Sequence, residues 1–141
     1  MIENGAGEVP VRIYFADTDA GGVCYYGRYL EYMERGRAEL LRDLGVDQVS
    51  FAAESGRGFI VRKLNASYLA PARLDNVLTI RTRVQSVRKI GVHLIQEAIL
   101  DGKVAFSAEV EMVCVDAATL RPAQLPPDLL AKIQQLKPAD P

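Results

Sequence analysis

A chain of 141 residues with a formal net charge of −1 makes one domain, long enough to bury a core without a metal or disulfide staple. Apolar residues at 49% against 25% charged are the balance of an ordinary globular protein, and near-neutrality argues against bulk attraction to nucleic acid or acidic lipid. Cys24 and Cys114 are too few for a disulfide framework and suit a reducing compartment, and a lone histidine, His93, excludes a site with two His ligands in one chain.

No window holds the 18 consecutive apolar residues of a membrane span. Residues 1–8 lack the basic start and apolar run of a secretory signal, so the expected location is the cytoplasm and the expected state of these residues a flexible tail. Val9, Val11, Ile13 and Phe15 then recur at every second position and predict a half-buried first strand. Turn-forming residues fill positions 17–22. From about Tyr26 the period lengthens. Leu30, Met33, Arg37, Leu40, Leu41 and Leu44 share one face of a helix, and Gly45 sits where a left-handed residue ends it. Gly36, inside that helix, costs roughly 1 kcal/mol against Ala, which points to close packing of another element at this place.

Residues 47–58 read as a polar connection, after which alternation returns. A second strand covers residues 59–68 and ends before Pro71. Leu78, Ile80, Thr82 and Val84 mark a third, and Val92, Leu94, Ala98 and Leu100 one face of a fourth. Asp101-Gly102 is a two-residue hairpin turn into a last strand, where Val104, Phe106, Ala108, Val110, Met112 and Cys114 face one way. A Pro-rich linker at 121–127 leads to an amphipathic helix carrying Leu129, Leu130, Ile133 and Leu136, with Pro127 suited to its first turn. Strand, long helix and four strands in a meander predict an α+β two-layer domain over residues 9–120, with linker and helix over 121–141. Ile95, Ile99, Val113 and Val115 fall on the register opposite the core and predict a surface for a partner.

The phosphate-cradling nucleotide motifs are absent. His93 reads as a hydrogen-bonded sheet histidine rather than part of a Ser-His-Asp triad. Cys24, before a helix start, reads as a small apolar side chain, since no base can be named for it. Asp17-Thr18-Asp19-Ala20-Gly21-Gly22-Val23-Cys24-Tyr25-Tyr26 is different. It sets two carboxylates and a double glycine directly before a helix N-terminus, where unpaired N–H groups favour a developing oxyanion. A carboxylate beside such donors is a minimal hydrolytic site; the same aspartates could also simply shape turns and cap the helix.

Phe15-Ala16-Asp17-Thr18-Asp19-Ala20-Gly21-Gly22-Val23, with Tyr25-Tyr26-Gly27-Arg28-Tyr29 and Glu34-Arg35-Gly36-Arg37, resembles the opening of hotdog-fold acyl-CoA thioesterases of the Tol-Pal-associated and 4-hydroxybenzoyl-CoA thioesterase group. Tyr68-Leu69-Ala70-Pro71-Ala72-Arg73-Leu74-Asp75-Asn76 and Val113-Cys114-Val115-Asp116 fit the same family, so the likeness runs over about residues 9–120. It implies a five-stranded antiparallel sheet wrapped around one long helix, Asp19 as catalytic base or nucleophile, and the Tyr26 backbone N–H bonded to the thioester carbonyl oxygen. The Tol-Pal-associated members commonly carry His where this chain has Tyr26 and Tyr where it has Phe15. The likeness further implies Arg88 and Lys89 as the binding site for coenzyme A phosphates, homodimers or homotetramers with sites at the subunit junction, and no cofactor or metal. Glu34 is the runner-up carboxylate, or one of the paired charges along the helix surface. The rival to an acyl-CoA thioesterase is a non-catalytic acyl-CoA or lipid binder, or an interaction module of an envelope complex.

Overall fold

The computed structural model describes residues 2–136. The strands are β1 (Ile2–Glu3), β2 (Ala6–Arg12), β3 (Arg57–Tyr68), β4 (Val77–Val87), β5 (Gly91–Leu100) and β6 (Lys103–Asp116); the helices are α1 (Arg28–Asp43), α2 (Gln48–Ser55) and α3 (Pro127–Leu136). All pairings are antiparallel, in the order β1-β2-β4-β5-β6-β3. The sheet thus has six strands rather than five, and only β4, β5 and β6 form a meander. The segment between β3 and β4 crosses the end of the sheet, where the Leu69 and Ala70 amides donate to the Ala105 carbonyl at 2.9 and 3.1 Å. It therefore leaves β3 on the far edge, beside β6.

The alternation behaves as its period demands. Leu78, Ile80, Thr82 and Val84 of β4, Val92, Leu94, Gln96 and Ala98 of β5, and Phe106, Ala108, Val110, Met112 and Cys114 of β6 are all buried. α1 packs on this face against β2, β4 and β5. Its buried stripe is Tyr29, Tyr32, Met33, Gly36, Leu40 and Leu41, so the two tyrosines take the core place expected of Leu30, which is exposed. The helix begins at Arg28, two residues after Tyr26, and Gly45 ends it in the left-handed region with φ of 85°. Gly36 faces Ile80, Thr82 and Gln96 at a distance that admits no side chain.

Four expectations need correction. The tail expected to be flexible at 1–8 is, over its described residues 2–8, a hairpin instead: Asn4 and Gly5 have φ of 53° and 76°, the conformation of a two-residue turn, and place Ile2 opposite Gly7. Phe15 leaves the first strand, which stops at Arg12, and is 81% exposed at the head of a 3₁₀ turn, Phe15–Asp17. Residues 47–58 contain α2, capped by Asp47, whose carboxylate accepts from the Ser50 amide and hydroxyl, and closed by Gly56 at φ of 68°. Val113 and Val115 are buried within the chain; the linker turns back along the end of β6, pairing Pro122 with Val115 and Ala123 with Cys114. Ile95 and Ile99 are half-buried on the face away from α1.

Candidate active site

Both aspartates lie in the loop between β2 and α1, at the end of the sheet where β3 stops and β4 starts. The loop is fastened at its base by two backbone bonds, Ile13 N–H to the Asn76 carbonyl (2.9 Å) and Asp75 N–H to the Ile13 carbonyl (2.8 Å). It is fastened again by Cys24 N–H to the Ala72 carbonyl (2.7 Å). Between these ties Thr18 pairs with Cys24, Asp19 N–H reaches the Val23 carbonyl, and Gly22 N–H closes a four-residue turn on the Asp19 carbonyl. Gly22 has φ of 79°, which is why a glycine stands there.

The two carboxylates have separate surroundings. Asp17 is committed to structure. Its Oδ2 accepts from the Tyr14 amide at 2.8 Å, its Oδ1 lies 3.6 Å from the Arg28 guanidinium, and its own carbonyl takes the Tyr25 amide at 2.8 Å. Asp19 is exposed, and of its carboxylate only Oδ1 takes a hydrogen bond among the described residues, from the Gly21 amide at 2.8 Å. Its charge reaches Tyr25, whose phenol is held above its ordinary range first by a hydrogen bond with Tyr26 and then by the charges around it. The Tyr25 and Tyr26 rings lie 4.7 Å apart. Tyr25 thus meets both the Asp19 charge and the Tyr26 ring.

Tyr25 hands its carbonyl to the Arg28 amide at 2.9 Å, in the turn that leads into α1. The amides of Tyr26 and Gly27 find no acceptor among the described residues. They lie just before α1, near the end where a helix carries unpaired donors and partial positive charge. Together with the Asp19 carboxylate they can activate a nucleophile and stabilise an oxyanion.

Other candidates sit elsewhere. Cys24 is buried and its thiol is pushed up by that burial, which fits a packing role and not a nucleophile. Glu34 is exposed two turns further along α1, in a cleft shared with Arg37, Phe51 and Phe59. Arg88 and Lys89 lie at the opposite end of the sheet from Asp19, separated by the length of β4, roughly 33 Å for its 11 residues. The turn there is closed by Arg88 N–H on the Gly91 carbonyl (2.8 Å), and Arg88 lines a cleft of about 290 Å³ with Arg62, Ser86, His93 and Glu111. One copy of the chain does not bring Arg88 and Lys89 to Asp19.

Sequence reasoning assigned no part to the aromatic group under the site. Tyr29 stacks on Phe106 at 4.8 Å, and Tyr68 meets Phe106, Tyr29 and Tyr26 edge-on at 4.9, 5.5 and 6.3 Å. Burial pushes the Tyr29 phenol up to about 12 and raises that of Tyr68. The Tyr68–Phe106 pair could have been found by setting the end of β3 against the start of β6, which needs the crossover to be known.

Comparisons with known proteins point to one family. Residues 13–133 match the thioesterase-like superfamily. The acyl-CoA thioester hydrolase YbgC of Escherichia coli is 40% identical over 127 residues, which are 89% of this chain and 94% of that one. The acyl-CoA thioesterase YbgC of Haemophilus influenzae is 36% identical over 97% of this chain and all of its own length. Among solved structures, a probable thioesterase from Bartonella henselae superposes with a TM-score of 0.82 at 35% identity, covering 86% of this chain and 99% of that one. An antiparallel sheet with a long helix on one face, a D-x-D loop before that helix, and relatives matched over nearly their whole length agree: the chain belongs to the thioesterase-like superfamily and has its hotdog fold.

Proposed function

We propose that this chain hydrolyses acyl-CoA thioesters with Asp19 as the catalytic carboxylate and the Tyr26 amide as oxyanion donor. The observation that carries the reading is an exposed carboxylate with a free oxygen, held on a glycine turn in the same loop as two amides just before α1 that have no acceptor among the described residues. In one form Asp19 takes a proton from water as the water oxygen attacks the carbonyl carbon. In the other Asp19 attacks the carbon itself, and water later opens the mixed anhydride. Both break the C–S bond and give a carboxylic acid and free coenzyme A. A thiol leaving group departs as thiolate, so neither form demands a strong acid. Thiol release from a panel of short, long and aromatic acyl-CoAs tests the reading, and no release from any of them would favour a binding protein instead.

An open carboxylate is a poor catalyst while bulk water surrounds it, and a second copy supplies the missing wall. Among the described residues β3 leaves one edge unpaired over 12 residues, with Ile60, Val61, Leu64 and Tyr68 each more than a third exposed, and its Tyr68 end lies against Tyr26. Such an edge invites pairing with its own kind. Sedimentation is expected to show a dimer or a multiple of it, and an active monomer at assay concentration would refute the assembly. Within it, Arg88 and Lys89 of one copy bind the coenzyme phosphates of a substrate whose thioester lies at another copy's Asp19. Replacing both by Ala is expected to raise KM several-fold with kcat little changed, because phosphate contacts are the same in ground and transition states. A KM that stays put, or that ignores salt, would remove these residues from the site. No described helix is long and apolar enough to cross a membrane, and two free thiols suit the cytoplasm.

A further inference from the structure

Tyr68 ends β3, 42 residues away from Tyr26 in sequence, yet its hydroxyl donates to the Tyr26 carbonyl at 2.8 Å. The bond falls on the peptide that joins Tyr26 to Gly27, and the peptide before it is fixed by the Tyr25 carbonyl accepting from Arg28. Tyr26 is thus held on both sides, so the direction of its N–H is set by two hydrogen bonds rather than by the loop alone. The ring that carries the hydroxyl is itself held by Phe106, Tyr29 and Tyr26. A donor on the Tyr26 carbonyl also polarises that peptide, which makes the Gly27 N–H on its other side a stronger donor. No other described side chain donates to this carbonyl.

We propose that Tyr68 is a positioning residue for thioester hydrolysis: through the Tyr26 carbonyl it aims and polarises the helix-start amides that receive the oxyanion. The proposal rests on the reading of Asp19 and Tyr26 as the active site. Its role differs from theirs, since the hydroxyl acts on the backbone and not on the substrate. Donors aimed in advance are effective because nothing has to reorganise as charge develops. A donor that strays weakens the transition state while leaving the ground state much as it was.

Tyr68→Phe tests this, because the ring and its three aromatic neighbours stay and only the hydroxyl goes. The expected result is a kcat about tenfold lower, with KM within twofold of the parent and an unchanged melting temperature. Affinity for a trifluoromethyl-ketone analogue of the substrate, which forms a tetrahedral adduct, should fall by the same factor as kcat. Affinity for an unreactive thioether analogue should not move. A merely structural role would not separate the two analogues. A kcat within twofold of the parent overturns the proposal. So does a loss of thioether affinity in step with kcat, which would mean that the hydroxyl touches substrate. Asp19→Asn is assayed beside it. If that variant keeps full turnover, the site reading and the proposal both fall; if it is inactive while Tyr68→Phe is unimpaired, only the role of Tyr68 falls.

Discussion

Asp19→Asn is expected to lower kcat by at least ~10²-fold, about 2.7 kcal/mol of transition-state stabilisation, while acyl-CoA still binds. The substitution keeps the size of the side chain and leaves an oxygen to accept the Gly21 amide, so the turn at residues 19–22 survives and only the negative charge is lost. Measuring kcat and KM on the purified variant, together with a melting curve, separates chemistry from folding. Asp17→Asn is the matched control. Its carboxylate caps the turn at Tyr14 and pairs with Arg28, so the expected loss is of order 1 kcal/mol of stability with turnover largely kept. If Asp17→Asn abolishes turnover and Asp19→Asn does not, the carboxylates have exchanged roles. If both folded variants remain active, Glu34 is the next residue to change.

Gly36→Ala is expected to destabilise the fold by about 2–3 kcal/mol, a fall in Tm of roughly 5–10 °C for a chain of this size. Two effects oppose each other. Ala in a helix interior gains up to ~1 kcal/mol over Gly by propensity. Against that, a methyl group at this position would lie 2.8 Å from Ile80 Cγ2 and from Thr82 Oγ1, and 3.0 Å from Gln96 Nε2. Those are not free ends able to swing aside. Gln96, itself fully buried, donates to the Met33 carbonyl and to Thr82, both at 2.9 Å, and accepts from the half-buried Arg37 at 3.0 Å. Pushing α1 off the sheet would break this group and leave buried polar atoms unpaired, a larger cost than the propensity gain. A variant as stable as the parent in thermal unfolding would show that the helix can lift without disturbing Gln96.

The helix, the five long strands and the carboxylate loop were legible because each is written in a short-range signal. Gly45 ends α1 and Asp101-Gly102, both at positive φ, turn β5 into β6, as their residue types demand. The same kind of signal, Asn4-Gly5, also marks the hairpin at the start of the chain, where a strand of two residues is too short to show a period. α2 is short and nearly all its residues are exposed, so no apolar stripe announces it; Asp47 and Gly56 are its only marks. What local signals do not carry is which strands are neighbours. The placing of β3 beside β6 depends on how the segment at 69–76 crosses the sheet end, and with it went the meeting of Tyr68 with Tyr26. The distance between Asp19 and Arg88 was hidden for the same reason: alternation gives the face of a strand and not the end at which its loops gather.

That crossing segment also anchors the Asp19 loop. Hairpins β4-β5 and β5-β6 join residues close in sequence and can close early, whereas β3 waits for β6 and β2 waits for β4. The Asp19 loop is tied to residues 72, 75 and 76, some 50 to 60 positions away, and these are in place only once both late strands have docked. The meander of β4, β5 and β6 by itself supplies none of these ties.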